Sequence, residues 1–290
     1  MKKQLLALAA AVLTSASALY AENGMFAGYL PENWTADVVA AVKYNRHYYS
    51  SNWHDGGTNT NSAVIKYDAD VQGNWHYANW RNLVNLAWGQ EYTKGTGTRK
   101  SEDKIFWEST VDFNTSEHIK PYMGARFESQ FTKSYIYDED ENGKELKHSI
   151  SCFMDPGYLT EFAGLAFILN DNFSQRLAFA NRMTFSDGYG YADDPDTEKE
   201  ESFKDEPGLE SITEFKYNFS DMISFKSRLW AFVNFEGVDE IDGKWENTLS
   251  ILITPYIEFS FGNEIFYDKD LNKNTQYKDA LYFGLTWRWF

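Results

Sequence analysis

The sequence predicts an all-β chain closed as a single antiparallel up-and-down transmembrane β-barrel of about 12 strands, with short periplasmic turns and longer external loops. Three observations predict it. Apolar and polar residues alternate with period two along most of the chain. Aromatics make up 18 % of 290 residues, yet the mean hydropathy is only −0.54. That pairing suits a wall with one face in hydrocarbon and the other in water. Finally, long polar loops and short turns alternate between the extended segments.

The N-terminus reads as an export signal. Lys2 and Lys3 precede an apolar run from Leu5 to Leu13, too short to span a bilayer. Ala16-Ser17-Ala18 and Ala21 offer small-residue cleavage sites, so residues 1–21 are assigned to a leader cut after Ala18 or Ala21, and 22–290 to the barrel. No later stretch approaches the ~20 apolar residues of a membrane helix. Passage through lipid therefore requires a closed barrel, because hydrocarbon cannot satisfy open backbone groups.

Strands are expected near 34–49, 62–76, 80–92, 103–115, 119–133, 157–168, 173–185, 208–219, 222–235, 244–254, 256–267 and 277–290. In the segment 62–76, Ala63, Ile65, Tyr67, Ala69 and Val71 fall on one face, and Lys66, Asp68, Asp70 and Gln72 on the other. The segment 222–235 sets Ile223, Phe225, Leu229 and Val233 against Ser224, Lys226 and Arg228. Short turns are expected at Tyr77–Asn79, Ser116–His118, Asn170–Asn172, Ser220–Asp221 and Thr254–Pro255. Long loops are expected at 50–61, 93–102, 134–156, 186–207, 236–243 and 268–276. Strict alternation of the two lengths fits a meander through a membrane and has no reason to arise in a Greek-key sandwich.

Aromatics gather at strand ends. Trp34, Trp75, Trp80, Tyr122, Phe173, Phe219, Trp287 and Trp289 lie toward the short-turn rim; Tyr44, Tyr48, Trp107, Phe131, Phe185, Phe235 and Tyr267 lie toward the long-loop rim. Two belts at headgroup level are expected of a membrane barrel. The chain ends Gly284-Leu285-Thr286-Trp287-Arg288-Trp289-Phe290. Gly284, Trp287, Trp289 and Phe290 form the expected insertion signal, by which an unpaired edge stays recognisable until it closes on the first strand. These features place the mature chain in the cell outer membrane, with membrane lipid around it and the barrel-assembly machinery as partner during insertion.

Several segments resemble a domain-of-unknown-function family of Gram-negative outer-membrane β-barrel proteins. They are Trp53-His54-Asp55-Gly56-Gly57-Thr58-Asn59, Asn82 to Gly89, Phe127-Glu128-Ser129-Gln130-Phe131, Ile150 to Leu159, and Phe266-Tyr267-Asp268-Lys269-Asp270. The most distinctive is Ser151-Cys152-Phe153-Met154-Asp155-Pro156-Gly157-Tyr158-Leu159, where Asp155 replaces a usual Ala. The resemblance implies a barrel and an outer-membrane location and carries no catalytic residues.

The formal charge is −16, and removing the leader with its two lysines gives −16 − 2 = −18. So acidic a chain is no partner for nucleic acid. Cys152 is the only cysteine, which excludes an intrachain disulfide. The water-facing positions carry both signs. Lys66, Asp68, Asp70, Arg126, Glu128, Glu161, Arg176, Arg182, Glu210, Glu214, Lys226 and Arg228 are the expected lumen-lining set, as charges that sort solutes or as cross-strand pairs that neutralise one another.

Asp138, Asp140 and Asn142, followed by Gly143, match the first half of a calcium loop, but Ser149 stands where its bidentate Glu belongs. The expectation is no cofactor beyond a weak surface divalent cation. Among the histidines only His148, beside Ser149 and Ser151, suggests a nucleophile with a base, and no hydrolase or phosphate-loop motif occurs. The chain is thus expected not to be an enzyme. The expected function is a narrow passive porin or channel for small hydrophilic solutes. The alternatives are a non-conducting structural or surface-interaction barrel and a membrane-embedded lipid-modifying enzyme. A lumen closed by salt bridges would favour the interaction reading.

Overall fold

The computed structural model describes residues 30–47, 59–141, 143–193, 200–237, 241–268 and 272–289. The leader and Phe290 lie outside them. Twelve strands close into one ring: β1 (Trp34–His47), β2 (Thr60–Asn74), β3 (Ala78–Thr93), β4 (Gly97–Phe113), β5 (Ile119–Ser129), β8 (Gly157–Asn170), β9 (Phe173–Phe185), β10 (Phe203–Ser220), β11 (Ile223–Asn234), β12 (Ile241–Thr254), β13 (Ile257–Asp268) and β14 (Asn272–Trp289). Each pairs antiparallel with its neighbours. The ring shuts where β14 meets β1, from Val38 opposite Trp289 to Tyr44 opposite Phe283. A closed ring leaves no open edge, the condition for crossing lipid with strands.

Beside the ring stands a separate hairpin, β6 (Ser134–Glu139) with β7 (Glu145–Ser151), where a loop was expected. Its sequence, Ser-Tyr-Ile-Tyr-Asp-Glu, alternates over too few residues to stand out from a polar loop. Two other expected long loops shrink. β3 and β4 are joined by Lys94, Gly95 and Thr96 alone, with Gly95 and Gly97 at positive φ, and β13 and β14 run on to Asp268 and from Asn272. The strict alternation of loop lengths therefore fails at these two connections. Their charged residues lie on strands that extend toward or past the rim, where both faces meet water and polarity no longer marks a loop.

Period two sorts the walls. Leu165, Leu177, Phe179, Leu209, Leu229, Trp245, Leu281, Phe283 and Leu285 project from the outer surface, Phe179 with 70 % of its area exposed. So much apolar surface outside a closed ring is a lipid contact. The inner surface holds the buried charges Lys43, Glu108, Arg126, Arg176, Glu210 and Glu258. Part of the interior is apolar: Tyr122, Phe162, Ala166, Ala178, Ala180 and Phe232 pack together, with Ile168 and Trp230 against them. Tyr122, expected in the aromatic belt, is 2 % exposed and in phase with Arg126, so it belongs to this inner cluster. Gly124 and Gly164 lie on the same inward phase. A side chain at Gly164 would meet Leu177 O at 2.0 Å and the Ala178 backbone at 2.5 Å.

Candidate functional site

The site is the lumen, and its waist is a ring of charges held on facing strands. Arg126, on β5, donates through Nε to Glu108 on β4 at 2.8 Å and through Nη1 to Glu210 on β10 at 2.6 Å. Trp230 Nε1 donates to the same Glu210 carboxylate at 2.7 Å. Arg228 reaches from β11 to Glu108 at 2.7 Å and to its register partner Glu214 at 2.8 Å. Arg81 holds Asp70 with two bonds, at 3.0 and 2.8 Å, and approaches Glu214 at 3.4 Å. Lys104 bonds Glu246 at 2.8 Å from across the barrel.

The pairs differ in their contact with water. Arg126, Glu108 and Glu210 are at most 2 % exposed, whereas Arg81, Glu214, Lys104 and Glu246 are 22–31 % exposed. A fully desolvated charge is held by its partners and is costly to separate. A pair that keeps contact with solvent is screened and contributes less than a fully enclosed one. The waist therefore has a fixed pillar on β4, β5 and β10, and a wetter set of bridges across the remaining bore.

On the long-loop side of the waist lies a cavity of about 150 Å³, floored by Arg126 and Arg228 and walled by Phe106, Tyr158, Trp230, Phe266, Arg182, Lys244, Glu128, Glu246 and Asp268. Arg182 lies over the Tyr158 ring at 4.6 Å and bonds Asp242 at 2.8 Å. Lys244 approaches Glu128 at 3.5 Å. Toward the short-turn rim, Arg176 is 6 % exposed and lies 3.7 Å from Glu108 and 3.9 Å from Asp112, at ion-pair and not hydrogen-bond distance. Its Nε and Nη1, together with Asp112 Oδ1 and Tyr122 Oη, have no hydrogen-bond partner among the described residues. Buried polar atoms are ordinarily partnered, so these groups mark a polar level of the lumen that the protein's own described residues leave unsatisfied.

Outside the ring, the hairpin is pinned to the loop after β9. Ser149 Oγ and Tyr189 Oη lie 2.6 Å apart, Tyr191 Oη donates to Ile150 O at 3.1 Å, and Ser186 donates to Asp155. Burial pushes the Tyr191 phenol above its usual range. On the hairpin's other side Arg99 bonds Glu145 and lies over Tyr137 at 3.8 Å.

Eleven of the twelve expected lumen residues keep the inward phase; Arg126, Glu210, Glu214, Arg228 and Asp70 meet at the waist, and Arg176 adjoins it toward the short-turn rim. Lys66 bonds Glu102 at 2.9 Å, and Asp68 accepts from Asn85 at 2.8 Å. Glu161 is the exception. It is in phase with Leu159, Ala163 and Leu165, between Ala125 and Asn181 on the neighbouring strands, and so stands on the outer surface. Its charge suggested the lumen, but the β8 phase, set by buried Thr160, Phe162 and Ala166, overrides composition.

Sequence reasoning missed Arg81, because 80–92 mixes apolar and polar residues on both faces. It also missed Trp230 and Phe232, which sit two and four residues beyond Arg228 on the same inner face; alternation alone would have found them. The calcium half-motif is part of the hairpin. Asp138 pairs with Leu146 within the strands, and Asp140 Oδ1 accepts from Lys144 N. Asn142 lies outside the described residues, and among the described ones no group of three His, Cys, Asp or Glu is placed to hold a metal. Ser149 is bonded to Tyr189 and not to a histidine. Of the insertion signal, Gly284 faces inward at the seam, Trp287 is nearly buried, and the Trp289 backbone completes the pairing with β1.

Comparison with known proteins divides the chain. Residues 44–135 match the family "Protein of unknown function (DUF3078)", and residues 160–289 match "Protein of unknown function, DUF481". No curated protein matches. Solved structures similar to the chain include the NanC porin (8 % identity, covering 86 % of this chain and 98 % of that one, TM-score 0.41). An outer membrane channel from Pseudomonas putida F1 is 12 % identical, over 90 % and 96 % of the two chains, with a TM-score of 0.40. The translocator domain of the autotransporter NalP from Neisseria meningitidis is 7 % identical, over 100 % and 97 %, with a TM-score of 0.42. The protein is a closed antiparallel β-barrel of twelve strands, and two of its segments match two families of unknown function.

Proposed function

We propose that the protein is a narrow passive channel for small hydrophilic solutes. The observation that carries this reading is a cavity inside the lumen together with buried polar atoms that have no hydrogen-bond partner among the described residues. The cavity lies on the long-loop side, and on the short-turn side the unpartnered polar atoms of Arg176, Asp112 and Tyr122 call for solvent. The bridges Arg81–Glu214 and Lys104–Glu246 keep 22–31 % of their side-chain areas exposed, far more than the enclosed Arg126, Glu108 and Glu210. A hydrated solute that offers its own charge or hydroxyl groups can replace them as it passes. Conductance of the purified protein in planar bilayers tests the reading: small, discrete events are expected, and silence at every voltage defeats it.

The same bridges support a second reading, a non-conducting barrel that presents its hairpin to a surface partner. Salt bridges cross the bore, and Tyr189, Tyr191 and Arg99 contact the hairpin. A silent protein would leave this reading standing.

A further inference from the structure

Three lysines stand apart from the neutralised lumen. Lys216, near the end of β10, and Lys226, near the start of β11, are direct register partners. Both are in phase with the inward residues Glu214 and Arg228, and both are exposed. Lys120, at the start of β5, shares the inward phase of Arg126. All three lie at the short-turn end of the lumen, and none has an ion pair among the described residues.

The absence of an acid partner is specific. Glu214, the inward acid next along β10 from Lys216, is held by Arg228 at 2.8 Å and Arg81 at 3.4 Å. On the other side of Lys226 the register neighbour is Thr248. Asp171 and Asp221, in the adjoining turns, form no ion pair with the lysines. Like charges directly opposite on paired strands are destabilising. The chain carries 43 acidic residues against 27 basic ones, and elsewhere in the lumen nearly every cation is matched with an acid. A cross-strand lysine pair left unmatched in so acidic a protein is a site for an external anion.

We propose that Lys216 and Lys226 form an anion subsite at the inner mouth of the lumen, selecting solutes that bear a carboxylate or phosphate group, with Lys120, three strands away around the ring, adding to the positive field at that mouth. The proposal rests on the channel reading and names the class of solute. Such a site raises the local concentration of anions at one end of the bore and disfavours cations there.

The test uses the purified full chain and its Lys216→Gln/Lys226→Gln variant in two arms. In planar bilayers under a potassium chloride gradient, the reversal potential of the native protein should carry the sign of anion preference, and the variant should lose that preference. In detergent at matched ionic strength, inorganic phosphate should raise the unfolding temperature of the native protein above its value in chloride, and the variant should lose the shift. A reversal potential unmoved by the double substitution, or a phosphate shift that survives it, overturns the subsite and leaves the channel standing. Absence of conductance at any voltage instead removes the channel reading, and the proposal with it.

Discussion

Lys104 on β4 and Glu246 on β12 bond at 2.8 Å although their strands stand on opposite sides of the ring. This pair spans the bore. It also shows how narrow the bore is, since two side chains suffice to cross it. With 30 % and 31 % of their side-chain areas exposed, these groups are the part of the waist most open to water. Replacing Lys104 with Gln and Glu246 with Ala removes the bridge while leaving the buried pillar intact. The unit conductance of the double variant should exceed that of the native protein. An unchanged conductance would place the limiting constriction elsewhere.

The buried pillar should behave in the opposite way. Arg126 is enclosed with Glu108 and Glu210, and all three side chains are at most 2 % exposed. Arg126→Met leaves two carboxylates short of a partner inside the barrel. Breaking a buried pair from one side costs ~3–5 kcal/mol. Urea titration in lipid vesicles should therefore show Arg126→Met unfolding at much lower denaturant than the native chain. A variant that also carries Glu108→Gln and Glu210→Gln should recover part of the loss.

Alternation made the fold legible, because on most strands only one phase is apolar. β2 shows this directly, and so does β11 from Ile223 to Leu229, before Trp230 and Phe232 make its inner face apolar as well; the chain end at Gly284 to Phe290 marked the closing strand. The waist was half legible. Arg126, Glu210, Glu214 and Arg228 follow from phase, but which acid each arginine holds depends on the stagger of strands far apart in sequence. Arg81 was hidden because Trp80, Asn82 and Val84 on the opposite phase mix polar and apolar groups. The hairpin β6–β7 was hidden for another reason. Its faces pack on Arg99, Tyr189 and each other, contacts that leave no periodic mark in a short polar stretch.

Glu161 tests the assignment of the outer face. A carboxylate on the lipid side costs little near the interface and more toward the centre of the bilayer. Glu161→Leu should leave conductance unchanged and stability equal or higher by up to ~1 kcal/mol. A changed conductance would return this residue to the lumen.

The loop latch should be separable from the barrel. Asp155 and Ser186 are 4 % and 3 % exposed, and their bond ties the turn before β8 to the loop after β9. Asp155→Ala leaves Ser186 without its acceptor, while the strands below keep their pairing. Limited proteolysis of intact cells should then cut within 186–202 faster in the variant than in the native protein. The folded barrel itself should keep its mobility on an unheated gel.

Gly284 is a point of close approach in the closing seam. A Cβ placed there would lie 2.4 Å from Val42 O and 2.8 Å from Lys43 Cα, both backbone atoms of β1 that cannot swing aside. Lys43 also carries the inner side of the seam, donating to Glu258 at 3.1 Å and to Ser260 at 2.7 Å. Any side chain at 284 must push β1 away from β14 or displace Lys43 from those partners, and both loosen the one pairing that turns an open sheet into a ring. Gly284→Val should thus reduce the fraction of chain that reaches the compact, heat-modifiable form in the outer membrane. Gly262→Ala serves as the control, because the nearest atom to a Cβ there is Asn247 O at 3.7 Å, an ordinary contact. If both variants assemble as well as the native chain, closure does not depend on the close approach of β14 to β1 at this glycine.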